Sequence, residues 1–511
     1  MANHLMKRLR FLSELGPAGQ VVLRDEHRTL TLAQLIDAAE RLASRLRAFN
    51  ARVVALRAGN SVDWVVVDFA CQFSELVFVP LPDYFSDQQV RHCLDTMNVD
   101  VLLADDENLT GLLDQYDRET EMEAWGDVTP YYAWTIAASS AAFPVLPPGT
   151  HKVTFTSGST GNPKGVCLSS EHQWRVAESL ADAIALQAPR HLCVLPLATL
   201  LENIGGIYTP LLCGGEVILP GAEQRGFMGS SGLDAQRFLQ CLSQAQPNTL
   251  ILIPQLLQLL VAACRSGWQA PSSLAFVAVG GGKVAPNLLV EAAECGLPVY
   301  EGYGLSECGS VVALNTAHDH KVGTVGRVLP HCHVTISDRE IQVSGANFLG
   351  YVNDPASWYP EKVCTGDLGD VRDGYLLVNG RRKNLLISSF GRNINPEWVE
   401  SEIAANPAIS QCVVLGDQKP YLTALLGTHP GMQDADVEQW LAEANRKLPD
   451  YAQVKAWARL GPGAWRELAT ANGRPRRDLI GARYDTLIAS LYQSYEQATQ
   501  HSLAHHAGET Q

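Results

Sequence analysis

Three features of this chain predict an α/β fold with two unequal domains. Short apolar strands alternate with helical patterns over the first three-quarters, the pattern changes near Gly380, and 511 residues exceed one ordinary core. The expected architecture is a large N-terminal domain, residues 1–380, of mostly parallel sheets packed by helices. A small, mobile α+β domain at 381–485 and a tail at 486–511 follow.

The alternation begins with "TLTLAQLIDAAERLASRLRAF", a strand and then a helix with Leu35, Ala38, Leu42 and Leu46 on one side. "RVVALRAG" reads as a buried strand, "SVDWVVVDFACQF" as a helix and "LVFVPLP" as a strand stopped by proline. "VDVLLADD", "HLCVLPL", "EVILP", "TLILIP", "SLAFVAVGGG" and "PVYEGYG" add short apolar strands, most of them separated by helical stretches, which favours parallel pairing. Past this point "GYLLVNGRRKNLLIS" reads as a hairpin. "NPEWVESEIAAN" starts a helix with Asn395 as N-cap and Pro396 at the first helical position. "AISQCVVLG" and "YLTALLGT" are two strands, and "DADVEQWLAEANRKL" is a second helix.

Composition narrows the class of function. The chain is 46% hydrophobic and 18% charged, with a net charge of −15, which is globular and disfavours nucleic acid or an anionic membrane as main partner. Its 12 cysteines form neither a C-x-x-C pair nor a zinc spacing, as expected of reduced, mostly buried thiols in a cytoplasmic protein. Residues 1–15 lack the long apolar run of a secretory signal. "TLILIPQLLQLLVAAC" is interrupted by Pro254, Gln255 and Gln258, so a strand leading into a helix is expected rather than a membrane span. His501, His505 and His506 read as part of a solvated tail, with metal binding the alternative.

"TFTSGSTGNPKG", Thr154 to Gly165, has the donor density of a phosphate-binding loop. It is not a Walker A loop, because Pro163 stands where the second glycine belongs and Gly165 where the Ser/Thr belongs. Taken alone, such a Gly/Ser-rich turn is equally a structural turn. "VGGGK", Val279 to Lys283, likewise reads as a tight strand-to-helix turn.

Four collinear blocks give these loops a common use. "TSGSTGNPKG", "GYGLSE" (Gly302 to Glu307), "TGDLGDVRDGYLLVNGRRKN" (from Thr365) and "FGRNINPEWVE" together resemble the signature blocks of the adenylate-forming enzymes. That superfamily comprises acyl- and aryl-CoA synthetases, adenylation domains and luciferases. The likeness spans about residues 20 to 485, with weaker echoes in "LPL" (Leu195 to Leu197) and "GANFLGY" (Gly345 to Tyr351). It is greatest in type to stand-alone acyl/aryl-CoA synthetases.

The resemblance implies activation of a carboxylic acid by ATP with Mg2+, release of pyrophosphate, and transfer of the acyl group to a thiol, most often coenzyme A. Thr156, Ser157, Gly158, Ser159, Thr160, Gly161 and Lys164 would hold the β- and γ-phosphates, with Lys164 also catalytic. Ser306 would contact the α-phosphate, and Glu307, with Thr160, would hold the metal. Gly280 and Gly281 would line the adenylate pocket. Gly302, Tyr303 and Gly304 would lie against the adenine, and Asp367 would accept from the ribose hydroxyls with Arg381 assisting. Lys383 falls near the family's hinge, although a surface lysine in a hairpin explains it equally well.

Two departures bear on mechanism and substrate. The family's C-terminal Thr-x-Asn-Gly-Lys stands here as "TANGRPRRD", with Arg474 in place of the catalytic lysine. Arginine keeps the charge but is longer and planar. In "LPLATLLENIGG" the aspartate of amino-acid-activating relatives and the histidine of many CoA synthetases are both missing, and Glu202 is its only acid. A fatty or aromatic acid therefore fits better than a zwitterion. The chain ends soon after Arg474, so the acceptor is expected to be separate: coenzyme A, or alternatively a carrier protein. A degenerate adenylate-binding protein with weak adenylation is the other reading, favoured by Arg474. Phosphoryl transfer is disfavoured by the broken P-loop spacing.

Overall fold

The computed structural model describes residues 9–14, 16–17, 19–105, 118–119, 132–136, 143–156, 163–228, 232–390, 392–468 and 475–493. Ser157, Gly158, Ser159, Thr160, Gly161, Arg474 and the three tail histidines lie outside the described residues.

Two large sheets are built from the first 381 residues. Among the described residues one has 13 strands and the other eight. In the larger, Val299–Tyr303, Phe276–Val279, Thr249–Leu252, Arg190–Leu192, Glu216–Ile218 and Val21–Arg24 run parallel in that spatial order. The middle of the smaller sheet is parallel too, with Lys152–Thr156, Val77–Leu81, Val53–Arg57 and Val101–Ala104 side by side. This is the parallel core that the strand–helix alternation predicts. It is extended by antiparallel strands wherever successive segments are joined by short turns, as in Cys332–Ser337 with Glu340–Gly345.

The helices start where their caps dictate. Thr31 and Gln34 form a capping box at the head of Leu32–Ala48, and Ser61 caps Val62–Phe73 through the Trp64 N–H. Leu35, Ala38, Leu42 and Leu46 are buried together, as their spacing predicts. Every residue of Val62–Phe73 is buried, including Asp63 and Asp68.

Two expectations shift. "GYLLVNGRRKNLLIS" is not a self-contained hairpin: Tyr375–Arg381 pairs with the preceding Val363–Arg372, from Arg372↔Tyr375 to Asp367↔Arg381. The turn Asp373–Gly374, both at positive φ, closes that hairpin at the very start of the quoted segment. "HLCVLPL" is a strand only over Arg190–Leu192, because Cys193 to Leu197 leaves the sheet toward Pro196.

After Arg381 comes a separate small body. Ile409–Leu415 pairs antiparallel with Leu422–Thr428, which pairs parallel with Val454–Arg459. Pro396–Ile403 and Asp434–Arg446 pack on this sheet through Val399, Ile403, Val437 and Leu441. Asn395 caps Pro396–Ile403 by accepting from the Glu397 N–H.

A buried polar cluster joins the two large sheets. The Lys152 ammonium donates to Asp68, Asn203 and Tyr208, at 3.0 Å from Asp68 Oδ1, 2.5 Å from Asn203 Oδ1 and 2.8 Å from the Tyr208 hydroxyl. Tyr208 and Asn203 in turn donate to Asp68 Oδ2 at 2.7 and 2.9 Å. Lys152 and Asp68 are 2% and 0% exposed, so removing one partner strands a buried charge. Lys152→Met is expected to destabilise the protein by about 3–5 kcal/mol in urea unfolding, with part of the loss recovered by adding Asp68→Asn. Equal losses for the single and double variants would show that the ion pair is not what the cluster depends on.

Candidate functional site

A cavity of about 490 Å³ lies between the two sheets. The strands Thr249–Leu252 and Phe276–Val279 and the carboxyl end of Val299–Tyr303 meet it from one side, and Thr156 and Lys164 meet it from the other. Ligand sites in open α/β sheets form at such strand ends, where side chains give way to backbone and loops.

The structure gathers most of the predicted residues here. Thr156, Lys164, Gly280 and Gly281 line the cavity. So do Gly302, Tyr303, Gly304, Ser306 and Glu307 from the strand Val299–Tyr303 and the turn after it, and Arg381 and Lys383 from the chain's exit toward the small body. Lys383 is exposed, in a one-turn 3-10 helix at Arg382–Asn384. Asp367 is buried just behind the wall.

The glycines are there for geometry. Gly281 has φ +80°, in the left-handed region, and turns the chain out of the sheet. A Cβ on Gly304 would sit 1.6 Å from the Ser310 carbonyl oxygen, so only glycine lets the chain fold back so tightly after Tyr303.

Tyr303, Asp367 and Arg381 form one unit. The Tyr303 hydroxyl donates to Asp367 Oδ2 at 2.7 Å, and Arg381 Nε lies 3.1 Å from Asp367 Oδ1. Register explains the second contact, because Asp367 and Arg381 are directly opposed partners in the antiparallel pair. Burial, and then the Asp367 carboxylate, push the Tyr303 phenol far above its ordinary value, so it stays a neutral donor.

Glu307 is held from the far side of the cavity. Tyr351 donates its hydroxyl to Glu307 Oε1 at 3.0 Å, and the Lys164 ammonium sits 5.3 Å from the centre of the Tyr351 ring. Among the described residues Glu307 Oε2 has no hydrogen-bond partner, leaving a hard oxygen donor of the type Mg2+ takes. Tyr351, in "GANFLGY", lies 44 residues from Glu307 and reaches it only through the pairing of Gly350–Tyr351 with Lys164–Leu168, which local sequence does not reveal. Thr154 lines the cavity as well. Its hydroxyl is buried and has no hydrogen-bond partner among the described residues.

Away from the glycine turns the walls become apolar, with Leu180, Ile184, Leu186 and Pro210. Glu202 does not face a ligand there. It is fully buried, and its carboxylate accepts from His191 Nε2 at 3.0 Å and from the Leu195 N–H at 3.3 Å.

Next to the wall residue Gly302, the buried Glu301 is poised to titrate. Burial pushes the Glu301 carboxyl up to about 7, against the opposing pull of Lys283 and the Val284 N–H. Its folded pKa lies above its ordinary 4.5, so the neutral acid is the form the fold favours. Stability from this group is complete below about 4.5 and is lost as pH rises through about 7. Glu301→Gln should remove that loss, roughly 3 kcal/mol at pH 8, and flatten unfolding free energy between pH 5 and 8. Parallel pH profiles for the two proteins would show that Glu301 is not the group responsible.

Comparison with known proteins places the fold and the family. The AMP-binding enzyme family matches residues 14–347, and the AMP-binding enzyme C-terminal domain matches residues 383–496. The indoleacetate–CoA ligase of Aromatoleum aromaticum is 29% identical over 446 residues, covering 78% of this chain and 82% of the relative. The long-chain-fatty-acid–CoA ligase FadD15 of Mycobacterium bovis is 26% identical over 461 residues, covering 74% and 73%. Among solved structures, the anthranilate CoA ligase AuaEII with anthranoyl-AMP superposes with a TM-score of 0.76 at 19% identity, over 93% of this chain and 96% of that one. The Bacillus subtilis o-succinylbenzoate CoA synthetase with its acyl-adenylate gives 0.74 at 23% identity, over 92% and 96%. With the family matched over most of its length, in both its large and its C-terminal parts, this chain belongs to the AMP-binding enzymes.

Proposed function

We propose that the protein is an AMP-forming carboxylate–CoA ligase, activating a fatty or aromatic acid with ATP and passing the acyl group to coenzyme A. The observation that carries this reading is the joint placement of Lys164, Ser306, Glu307 and the Tyr303–Asp367–Arg381 unit around one cavity whose other end is apolar. Relatives named as ligases of fatty, indoleacetic and succinylbenzoic acids support the acid–thiol class.

A carboxylate is a poor electrophile because its leaving group would be oxide. Attack of its oxygen on the α-phosphorus of ATP forms an acyl-adenylate and expels pyrophosphate, after which a thiol displaces AMP. Asp367 and Arg381 hold the nucleoside end, with Tyr303 packed beside the base. Thr156, Ser157, Gly158, Ser159, Thr160, Gly161 and Lys164 receive the β- and γ-phosphates. Ser306 contacts the α-phosphate, while Gly280 and Gly281 let backbone approach the reacting centre. Glu307, steadied by Tyr351, with Thr160, would hold Mg2+, which supplies charge neutralisation on the leaving pyrophosphate. Arg474 takes the anion-binding role of the family's lysine.

Residues 1–380 act as the catalytic body and 381–485 as a lid, with Lys383 at the hinge between the half-reactions. None of the 12 cysteines is paired, which fits a reducing cytoplasmic setting. No described helix is long and apolar enough to cross a membrane.

Exchange of labelled pyrophosphate into ATP tests the reading directly. It is expected to depend on an added carboxylic acid, and AMP is expected to accumulate once coenzyme A is supplied. ADP as the product, or no exchange across a broad panel of acids, would sink the assignment. Arg474→Lys is expected to raise the exchange rate severalfold if the longer, planar guanidinium positions the anion less well. A lower rate would show that arginine is the better residue in this site.

A further inference from the structure

We propose that the apolar end of the cavity closes on a polar subsite, centred on the Thr249 hydroxyl, that selects acids bearing a hydroxyl group at the end remote from the carboxylate. The inference rests on the ligase reading above and names the substrate class within it.

The subsite is a chain of three side chains on elements that sequence alone does not connect. Thr249 and His191 are in-register partners on adjacent parallel strands, so their side chains stand side by side on one face. His191 Nδ1 is 2.9 Å from Thr249 Oγ1, and His191 Nε2 is 3.0 Å from Glu202 Oε1. Thr249 and His191 both line the cavity, while Glu202 is fully buried behind them. The pair needs a glycine to fit: a Cβ on Gly206 would lie 2.7 Å from His191 Nε2 and 2.8 Å from Glu202 Oε1. Gly206 belongs to the π-helix Asn203–Tyr208, an irregularity of the kind found at functional sites.

Hydrogen-bond accounting fixes what the subsite reads. The Glu202 carboxylate accepts, so His191 donates from Nε2. In the neutral imidazole Nδ1 then accepts from the Thr249 hydroxyl, whose oxygen is left to accept from a ligand. In the imidazolium Nδ1 donates to that oxygen, and the hydroxyl proton is free for a ligand acceptor. A hydroxyl substituent satisfies both states, because it can donate or accept. A purely apolar tail would leave Thr249 facing it without a second partner, at a cost. His191, Cys193 and Glu202 also offer ligand atoms within 4.8 Å of one another, but both imidazole nitrogens are already engaged with Thr249 and Glu202.

Position sets the length of the acid. Thr249 is opposite Phe276, and Gly280, at the adenylate end, is four residues further along that strand. At about 3.3 Å per residue the subsite lies roughly 13 Å from the glycine turn. With about 2.8 Å taken up by a hydrogen bond to Thr249 and about 3.5 Å by contact at the glycine turn, a hydroxyl roughly 7–8 Å from the carboxylate reaches it, as on a para-hydroxyphenyl acid with a short side chain. The walls between are Leu201, Ile251 and Ala278, which suit a ring or methylenes.

The test is equilibrium binding by calorimetry in the presence of AMP, which does not depend on turnover. The probes are 3-(4-hydroxyphenyl)propanoic acid and its analogue without the hydroxyl. Wild type is expected to bind the hydroxy acid at least about tenfold more tightly. Thr249→Val, nearly isosteric, is expected to bring the ratio of the two affinities to about one, and Thr249→Ser to keep the wild-type preference. Glu202→Gln is expected to lower the ratio, since it removes the acceptor that orients the imidazole. Equal affinities in wild type, or a preference that survives Thr249→Val, would overturn the subsite; an unchanged ratio in Glu202→Gln would overturn the role of the chain behind it. Pyrophosphate exchange, measured separately, reports on the ligase reading alone.

Discussion

The buried contact between Lys152 and Asp68 is the constraint on which the placement of the cavity depends. Asp68 belongs to a wholly buried helix, Lys152 begins a strand of the smaller sheet, and Asn203 and Tyr208 approach from the side of the larger one. Two buried charges are costly, and the geometry meets that cost by saturating them: Asp68 accepts from Lys152, Asn203, Tyr208 and Gln72. A hydrophobic replacement could pack as tightly but would tolerate sliding. The polar cluster holds its partners by directed hydrogen bonds, and Thr156, four residues along the same strand as Lys152, stands at the cavity wall.

From this seam the chemistry is distributed by distance along the strands. Near their carboxyl ends, glycines at 280, 281, 302 and 304 remove side chains and expose backbone. Two carboxylates there have opposite surroundings. Asp367 is pinned between a phenol and a guanidinium, which orients its oxygens as acceptors. Among the described residues Glu307 receives one side-chain hydrogen bond, from Tyr351, and its other oxygen is left without a partner. The first arrangement suits a fixed pair of hydroxyls and the second suits a cation that must come and go with its substrate.

Local pattern carried much of this into the sequence. Period and caps placed Leu32–Ala48, Val62–Phe73 and Pro396–Ile403, and glycine clusters marked the strand ends. The collinear blocks pointed to Gly302 through Glu307 as one wall. What was not legible depends on pairing between distant segments. The alternation in Tyr375–Arg381 suits a hairpin with either neighbour and cannot say which one it joins. Tyr351 reaches Glu307, and His191 reaches Thr249, only through sheet register. Glu202, the only acid of "LPLATLLENIGG", serves a histidine 11 residues earlier, brought close by the turn of chain between them.

The two ends of the cavity make opposite demands, and the parallel strands meet both because polarity along a strand can change without changing its course. A nucleotide needs donors, charge and close backbone. An acyl group needs dry walls that exclude water from a reactive mixed anhydride. Phe276, Ala278 and Gly280, two residues apart, share one face and step from ring to methyl to bare backbone toward the reacting centre. A polar group at the dry end is therefore conspicuous. Thr249 and His191 occupy positions where valine or leucine would complete the wall, and Gly206 gives up its side chain to make room behind them. A fold that needed only an apolar pocket would gain nothing from a buried carboxylate there, since burying Glu202 is tolerable only while His191 and the Leu195 N–H satisfy it. The expense is intelligible if the far end of the substrate is polar as well.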